Sequence, residues 1–309
     1  MDDRITLRFL VTPQDAPAGT VSGGTVLEWI DRAGYACAVG WSSSYCVTAY
    51  VGNVHFAHPI RSGQLIEVQA RIIQTGRTSM QVLVTVGARD LAQSAFRLSM
   101  HCLLVFVAMD DGRPVEVPAW TPQTDADRML HARAEERLAA RHEIRAAMEA
   151  AEYTDAGTTP QTVLRFLAAP KDVNWGGNAH GGTVMRWIDE AAFACAAAWS
   201  TTDAVAVYSG GIHFTSPVHI GDLVEVSARL IHTGPHSMHI ACHVRSGSPT
   251  APHDLRRTVR CMTVFLDLDE ERQPREVPRL VLRSDEDRRL DAHARELIAM
   301  RDRLPAIPL

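Results

Sequence analysis

The chain has 309 residues, 46% of them apolar, and its 31 basic and 36 acidic side chains leave a formal charge of −5. That length suffices for two domains of ordinary size, and that charge gives no general pull toward nucleic acid or an anionic membrane, so an anionic ligand needs a local site. No apolar run approaches the roughly 20 residues that span a bilayer. The opening MDDRITLRFLV lacks the basic-then-apolar layout of a secretory leader. With six cysteines and no Cys-x-x-Cys, the expected compartment is the cytoplasm, with buried free thiols at Cys37, Cys102, Cys195 and Cys261.

ITLRFLV reads as a short strand. A Gly-rich turn with Gly23 and Gly24 then leads into a helix of about five turns, whose apolar positions Val26, Ile30, Ala33, Cys37 and Trp41 recur at three- and four-residue spacing. Small residues fill its other faces, which predicts a buried helix. The segments VTAYVGNVHF, QLIEVQARIIQTG, SMQVLVTVGAR and FRLSMHCLLVFVAM follow, rich in Val and Ile and alternating in places, as in Ile66, Val68 and Ala70. They predict an antiparallel sheet. TDADRMLHARAEERLAARHEIRAAMEAA has Met129, Leu138 and Ile144 at helical spacing and reads as a linker helix, with Asp125 as its expected cap.

The same order then returns. SGGTVLEWIDRAGYACAVGWS from Ser22 matches HGGTVMRWIDEAAFACAAAWS from His180, an offset of 158, the difference between 180 and 22. That offset also carries HFAHP onto HFTSP and SGQLIEVQARIIQTG onto IGDLVEVSARLIHTG. A unit of about 120 residues is a whole domain rather than a solenoid repeat. The division read from this is a first domain over 1–120, a linker helix over 121–153, a second domain over 154–282 and a C-terminal helix over 283–309.

In the second half NWGGNAHGGTVMRWIDE is followed by HFTSP and GPHS; in the first, APAGTVSGGTVLEWIDR is followed by VT, HFAHP and GRTS. In this order, twice over and across nearly the whole chain, the motifs resemble those of the hotdog-fold acyl-CoA hydrolases in their tandem form. The resemblance implies an α+β fold of two hotdog domains, each an antiparallel β-sheet wrapped around a long central helix, paired side by side. It implies acyl-CoA as substrate, coenzyme A as part of substrate and product, no other cofactor, no metal, and a homo-oligomer, a trimer of double-hotdog chains.

Thioester hydrolysis needs a group that activates water or attacks directly, and donors for the developing oxyanion. Asp31 and Asp189 are the candidate carboxylates, each inside an apolar helix, where a charge must be solvated, paired or functional. The pairs Gly23-Gly24 and Gly181-Gly182 offer helix-start amides, though a tight turn with close packing of helix on sheet is the plainer reading of Gly-Gly alone. Asp31 lies seven residues, roughly 10 Å of helix, beyond Gly24, so it cannot serve the same thioester as its own helix start. Antiparallel helices would instead bring Asp31 to Gly181-Gly182 and Asp189 to Gly23-Gly24. The Asp31 set includes Asn174, His180, Gly181, Gly182 and Thr48; the Asp189 set faces Ala16-Pro17 without the Asn, Ser22 instead of His180, and Ala206 instead of Thr48. One complete and one depleted site is the expectation. The alternatives are that both sites act, or that Asn174 only holds its own turn.

The loop Gly76-Arg77-Thr78-Ser79 offers a cation, hydroxyls and turn amides to the phosphates of coenzyme A; its counterpart ending at Ser237 is less basic. A hairpin turn with a solvated Arg explains the loop equally well. His55 and His213 read as strand residues. A hotdog dehydratase would need a His beside a carboxylate, and the pattern of Asp with His five residues on is missing: Ala36 and Ala194 hold those places. A third reading is a non-catalytic acyl-CoA-binding regulator.

Overall fold

The computed structural model describes every residue except 1, 18, 306, 308 and 309. In chain order the first repeat forms β1 (Arg4–Leu10), α1 (Gly23–Ser42), β2 (Tyr45–Val51), β3 (Val54–His55), β4 (Leu65–Thr75), β5 (Ser79–Arg89), β6 (Arg97–Asp110) and β7 (Arg113–Pro114). Helix α2 (Asp125–Ala150) leads to β8 (Gln161–Leu167), α3 (Gly181–Trp199), β9 (Ala204–Phe214), β10 (Leu223–Thr233), β11 (Ser237–Gly247), β12 (Arg256–Asp267) and α4 (Asp285–Asp302). One buried helix and an antiparallel meander thus occur twice, the α+β hotdog pattern that the repeat predicts.

Within the first repeat the strands run β1-β4-β5-β6-β2, with β7 on β6. Every neighbouring pair is antiparallel. Within the second the order is β8-β10-β11-β12-β9, again antiparallel throughout. Alternation fixes which residues meet the helix. Ile66, Val68, Ala70 and Ile72 of β4, with Val82, Val84 and Val86 of β5, are buried on the face that receives Leu27, Ile30 and Ala33 of α1. Each large side chain removed from water in this way contributes about 1.5–3 kcal/mol.

Local signals set the helix ends. Ser22 caps α1, its Oγ accepting from the Thr25 amide at 3.2 Å. The cap of α2 is Thr124 and not Asp125: Thr124 Oγ1 accepts from the Asp127 amide at 3.1 Å, while Asp127 Oδ2 accepts from the Thr124 amide at 3.0 Å. Asp125 lies one residue inside the helix and pairs with Arg128. Ser284 and Asp287 build the same box at α4, whose Leu290, Ala294 and Leu297 pack with Ile231 and Met262.

The chain divides into two compact units, Met1–Ala134 with Lys171–Arg186, and Glu135–Pro170 with Trp187–Leu309. The segment that opens the second repeat's helix is therefore part of the first unit, and the division falls inside α3. No helix among the described residues is long and apolar enough to cross a membrane.

Candidate active site

Asp31 stands on α1 with no surface exposed to solvent. A buried carboxylate is costly unless its oxygens are bonded, and here both are. Oδ1 accepts from Thr48 Oγ1 of β2 at 2.7 Å. Oδ2 accepts from the backbone amide of Gly182 at 2.7 Å and from His180 Nδ1 at 2.5 Å. Hydrogen bonds to a charged group contribute about 1.5–3 kcal/mol each, so three of them make a rigid and satisfied centre.

This approach explains the glycine pair. A Cβ on Gly182 would lie 2.8 Å from the Cα of Glu28, and one on Gly181 would lie 2.8 Å from Thr48 Oγ1. Only residues without a side chain let the start of α3 come against α1 and present its amides to the carboxylate. The Gly182 amide is taken by Asp31. The Gly181 amide, an orphan of the first helical turn, has no acceptor among the described residues.

His180 and Gly182 line a pocket of about 340 Å³ with Glu28, Arg32, Asn174 and Trp175. His180 is half-buried and the more accessible member of the ion pair: its side chain keeps 17% of its surface and that of Asp31 keeps none. Burial alone would push the imidazole pKa down, but the hydrogen bond and charge of Asp31 outweigh it, and the pKa lies above its ordinary 6.5. With Nδ1 tied to Asp31, Nε2 has no partner among the described residues.

Asn174 lies in the same pocket, but its Oδ1 accepts from the amides of Gly176 at 2.8 Å and Asn178 at 3.1 Å. The oxygen thus holds the turn, and the amide nitrogen is the part of the side chain that the turn does not claim. Tyr45 lies against that turn, so close that a Cβ on Gly176 would collide with its ring and hydroxyl. Tyr35 of α1 stacks on Trp175 at 4.8 Å with planes 4° apart and meets His180 edge-on at 5.8 Å. Glu28 accepts from Thr183 Oγ1 at 3.2 Å and from Arg186 Nε at 3.1 Å.

The structure thus brings Asp31, Thr48, His180, Gly181, Gly182 and Asn174 together within the first unit. Gly76, Arg77, Thr78 and Ser79 do not line this pocket. They form a hairpin turn closed by the Gly76 amide on the Ser79 carbonyl at 2.8 Å, with Arg77 exposed and 3.8 Å from Glu116. Ser237 is engaged with His239 Nε2 at 3.1 Å. Asp189 is buried in α3, in the second unit, and Gly23 and Gly24 open α1 in the first. His55 lies on β3 and is exposed, and His213 lies on β9. All six cysteines are buried and free. Glu28, Tyr35, Trp175 and Arg186 were not singled out from sequence; the one signal was position, since Glu28 and Tyr35 lie three before and four after Asp31, on its own helix face.

A profile of the Thioesterase superfamily matches residues 18–95 and again 176–252. Mouse acyl-coenzyme A thioesterase 11 is 26% identical over 278 residues, covering 84% of this chain and 46% of that protein. Mouse cytosolic acyl coenzyme A thioester hydrolase is 25% identical over 304 residues, covering 92% of this chain and 80% of that one. The chain therefore spans about half the length of the first relative and most of the second. Among solved structures, a Lactobacillus plantarum protein assigned as an oleoyl thioesterase superposes with a TM-score of 0.61 over 86% of this chain and 97% of its own; at 10% identity the likeness is one of fold.

Proposed function

The chain belongs to the thioesterase superfamily, and from that membership we propose that it hydrolyses acyl-CoA to coenzyme A and a carboxylic acid by Asp31-assisted attack of water. The observation that carries the reading is the Asp31–His180 pair at the wall of an open pocket. Asp31 has no surface of its own, so the proton leaves water for the pair through His180, whose Nδ1 is fixed by the carboxylate and whose Nε2 is free to accept. The resulting hydroxide adds to the thioester carbon. The charge that forms on the carbonyl oxygen falls to the amide of Gly181, helped by the positive end of α3. Collapse breaks the carbon–sulfur bond, and the thiolate of coenzyme A leaves and takes up the proton. The Asn174 amide nitrogen orients water or thioester, and Glu28 with Arg186 and Thr183 fixes the helix start. Arg77, loosely paired on the surface, meets the nucleotide phosphates in this reading. No metal or further cofactor takes part.

The His180–Asp31 pair also favours a second reading, since a His beside a carboxylate is what a hotdog dehydratase needs. The two are separated by one experiment: thiol release from a panel of acyl-CoAs, run beside hydration of an enoyl-CoA followed by loss of its ultraviolet band. Hydrolysis predicts free thiol from saturated acyl-CoA, insensitive to chelators. Hydration of the enoyl-CoA without thiol release would overturn the assignment. The reading also places the chain in the cytoplasm, as a trimer of double-domain chains. Light scattering should give three times the 33.9 kDa chain, and a stable species of 33.9 kDa would exclude the trimer.

A further inference from the structure

The second unit holds a cleft of about 370 Å³ that the hydrolytic reading does not use. It lies where the ladder of β9 and β12 ends, with Val259 against Phe214 and Arg260 against His213. Arg257 and Arg260 of β12 both line it. Residues three apart in an unbroken strand face opposite sides. Here β12 carries a bulge: Val259 pairs with Val244 and Arg257 with Arg245, which leaves Thr258 as an extra residue. The bulge shifts the alternation by one and turns both guanidiniums into the same cleft.

These charges are only partly compensated. Arg145 and Glu149 of α2 pair at 2.7 Å, and the Glu149 carboxylate also acts on Arg260. Arg260 donates through Nη1 to the carbonyls of Met148 and of Ala151, at the end of α2, and its buried Nε has no hydrogen-bond partner among the described residues. The Arg257 guanidinium has no acceptor among the described residues. Burial first, and then the charge of Arg257, push the Arg260 pKa down. His213 is held neutral: burial and then the charges of Arg145 and Arg141 bring its pKa to about 4. Met148 and Val259 add an apolar floor.

The first repeat makes the contrast. It has the same bulge, at Ser99, where Val86 pairs with Met100 and Gly87 with Leu98. Yet Leu98 and His101 stand in the places of Arg257 and Arg260. The doubled cation is thus particular to the second repeat and is no requirement of the fold.

We propose that this cleft binds the phosphate or diphosphate group of a phosphorylated ligand distinct from the acyl-CoA substrate, with Arg257 as its main partner and Arg260 as the second. Two adjacent guanidiniums suit a doubly charged oxyanion, which each can meet with paired N–H donors. An anion there removes the mutual repulsion of the two cations.

The test is titration of the full chain with inorganic pyrophosphate, by calorimetry and by thermal melting. Saturable binding and a raised Tm are expected, weakening with salt. Arg257→Glu should lose roughly tenfold or more in affinity, and Arg257→Lys should recover part of it. Both variants should keep the melting temperature and acyl-CoA turnover of the unliganded chain, since Arg257 is exposed and outside the Asp31 pocket. No saturable binding by the parent chain, or equal affinity in Arg257→Glu, overturns the site. Pyrophosphate binding that survives saturating coenzyme A supports a separate ligand. Displacement by coenzyme A but not by pantetheine overturns that separateness and assigns the cleft to the coenzyme's own phosphates.

Discussion

The backbone amide of Gly182 donates to Asp31 Oδ2 at 2.7 Å across 151 positions of sequence. A helix start from one repeat and a helix middle from the other thus meet inside one compact unit. If this junction is the catalytic centre, Asp31→Asn should keep the fold and lose about 10²–10⁴-fold in kcat/KM. Asp189→Asn should cost far less: Ala206 lacks the hydroxyl of Thr48, and Ser22 uses its oxygen to cap α1. Steady-state kinetics of the two variants, with melts to confirm folding, decide it. A dead Asp189 variant beside an active Asp31 variant would reverse the assignment.

Gly182→Ala tests the close approach. The added methyl would stand 2.8 Å from the Cα of Glu28, a backbone atom that cannot swing aside. Overpacking of this kind costs about 1–3 kcal/mol, and the shift of α3 lengthens the Asp31–amide bond. A lowered Tm together with lower kcat is expected. Unchanged melting would mean that the helices are free to separate.

His180 ties pH to both stability and rate, with opposite signs. Its folded pKa lies above the ordinary 6.5, so protonated His180 stabilises the native chain. That contribution is fully present below about pH 6.5 and is lost as pH rises through the folded value. The difference in unfolding free energy between the parent and His180→Gln should therefore shrink with rising pH in denaturant titrations. A base must be unprotonated, so kcat/KM should rise through the same interval. If His180→Ala kept full activity while Asp31→Asn lost it, the proton would go to Asp31 directly.

Asn174 separates turn from chemistry through a pair of variants. Asn174→Asp keeps the oxygen that holds the amides of Gly176 and Asn178 but removes the nitrogen donor. Asn174→Ala removes both. An active Asp variant beside a crippled Ala variant would show a purely architectural role. Loss in both, with an Asp31/Asn174 double variant no worse than the single ones, is expected of residues that act as a unit.

The fold was legible because the duplication announces itself twice and because strand and helix periods are clean: Ile66, Val68 and Ala70 alternate, and Val26, Ile30 and Ala33 keep helical spacing. Asp31 was legible because a carboxylate inside an apolar helix demands an explanation. The capping box at Thr124 is also present in the sequence, as Thr-x-x-Asp, with Asp125 the neighbouring residue of cap type. The His180 bond to Asp31 was not legible, since a ring beside a Gly-Gly turn has no direction until two helices are packed. The same holds for the Tyr35–Trp175 stack and for Glu28 with Arg186, whose partners lie more than a hundred residues away. The use of the Asn174 oxygen within its own turn was the alternative that the sequence left open, and the turn does claim that atom.

Lys171–Arg186 folds with the first unit although it follows the linker in sequence. A chain of one repeat that pairs with its twin must carry every substitution in both copies at once, so its two junctions can never differ. Joining the copies in one reading frame ends that constraint. His180 and Thr48 can then stand at one junction while Ser22 and Ala206 stand at the corresponding places of the other repeat, a division of labour that no symmetric pair of identical chains can encode.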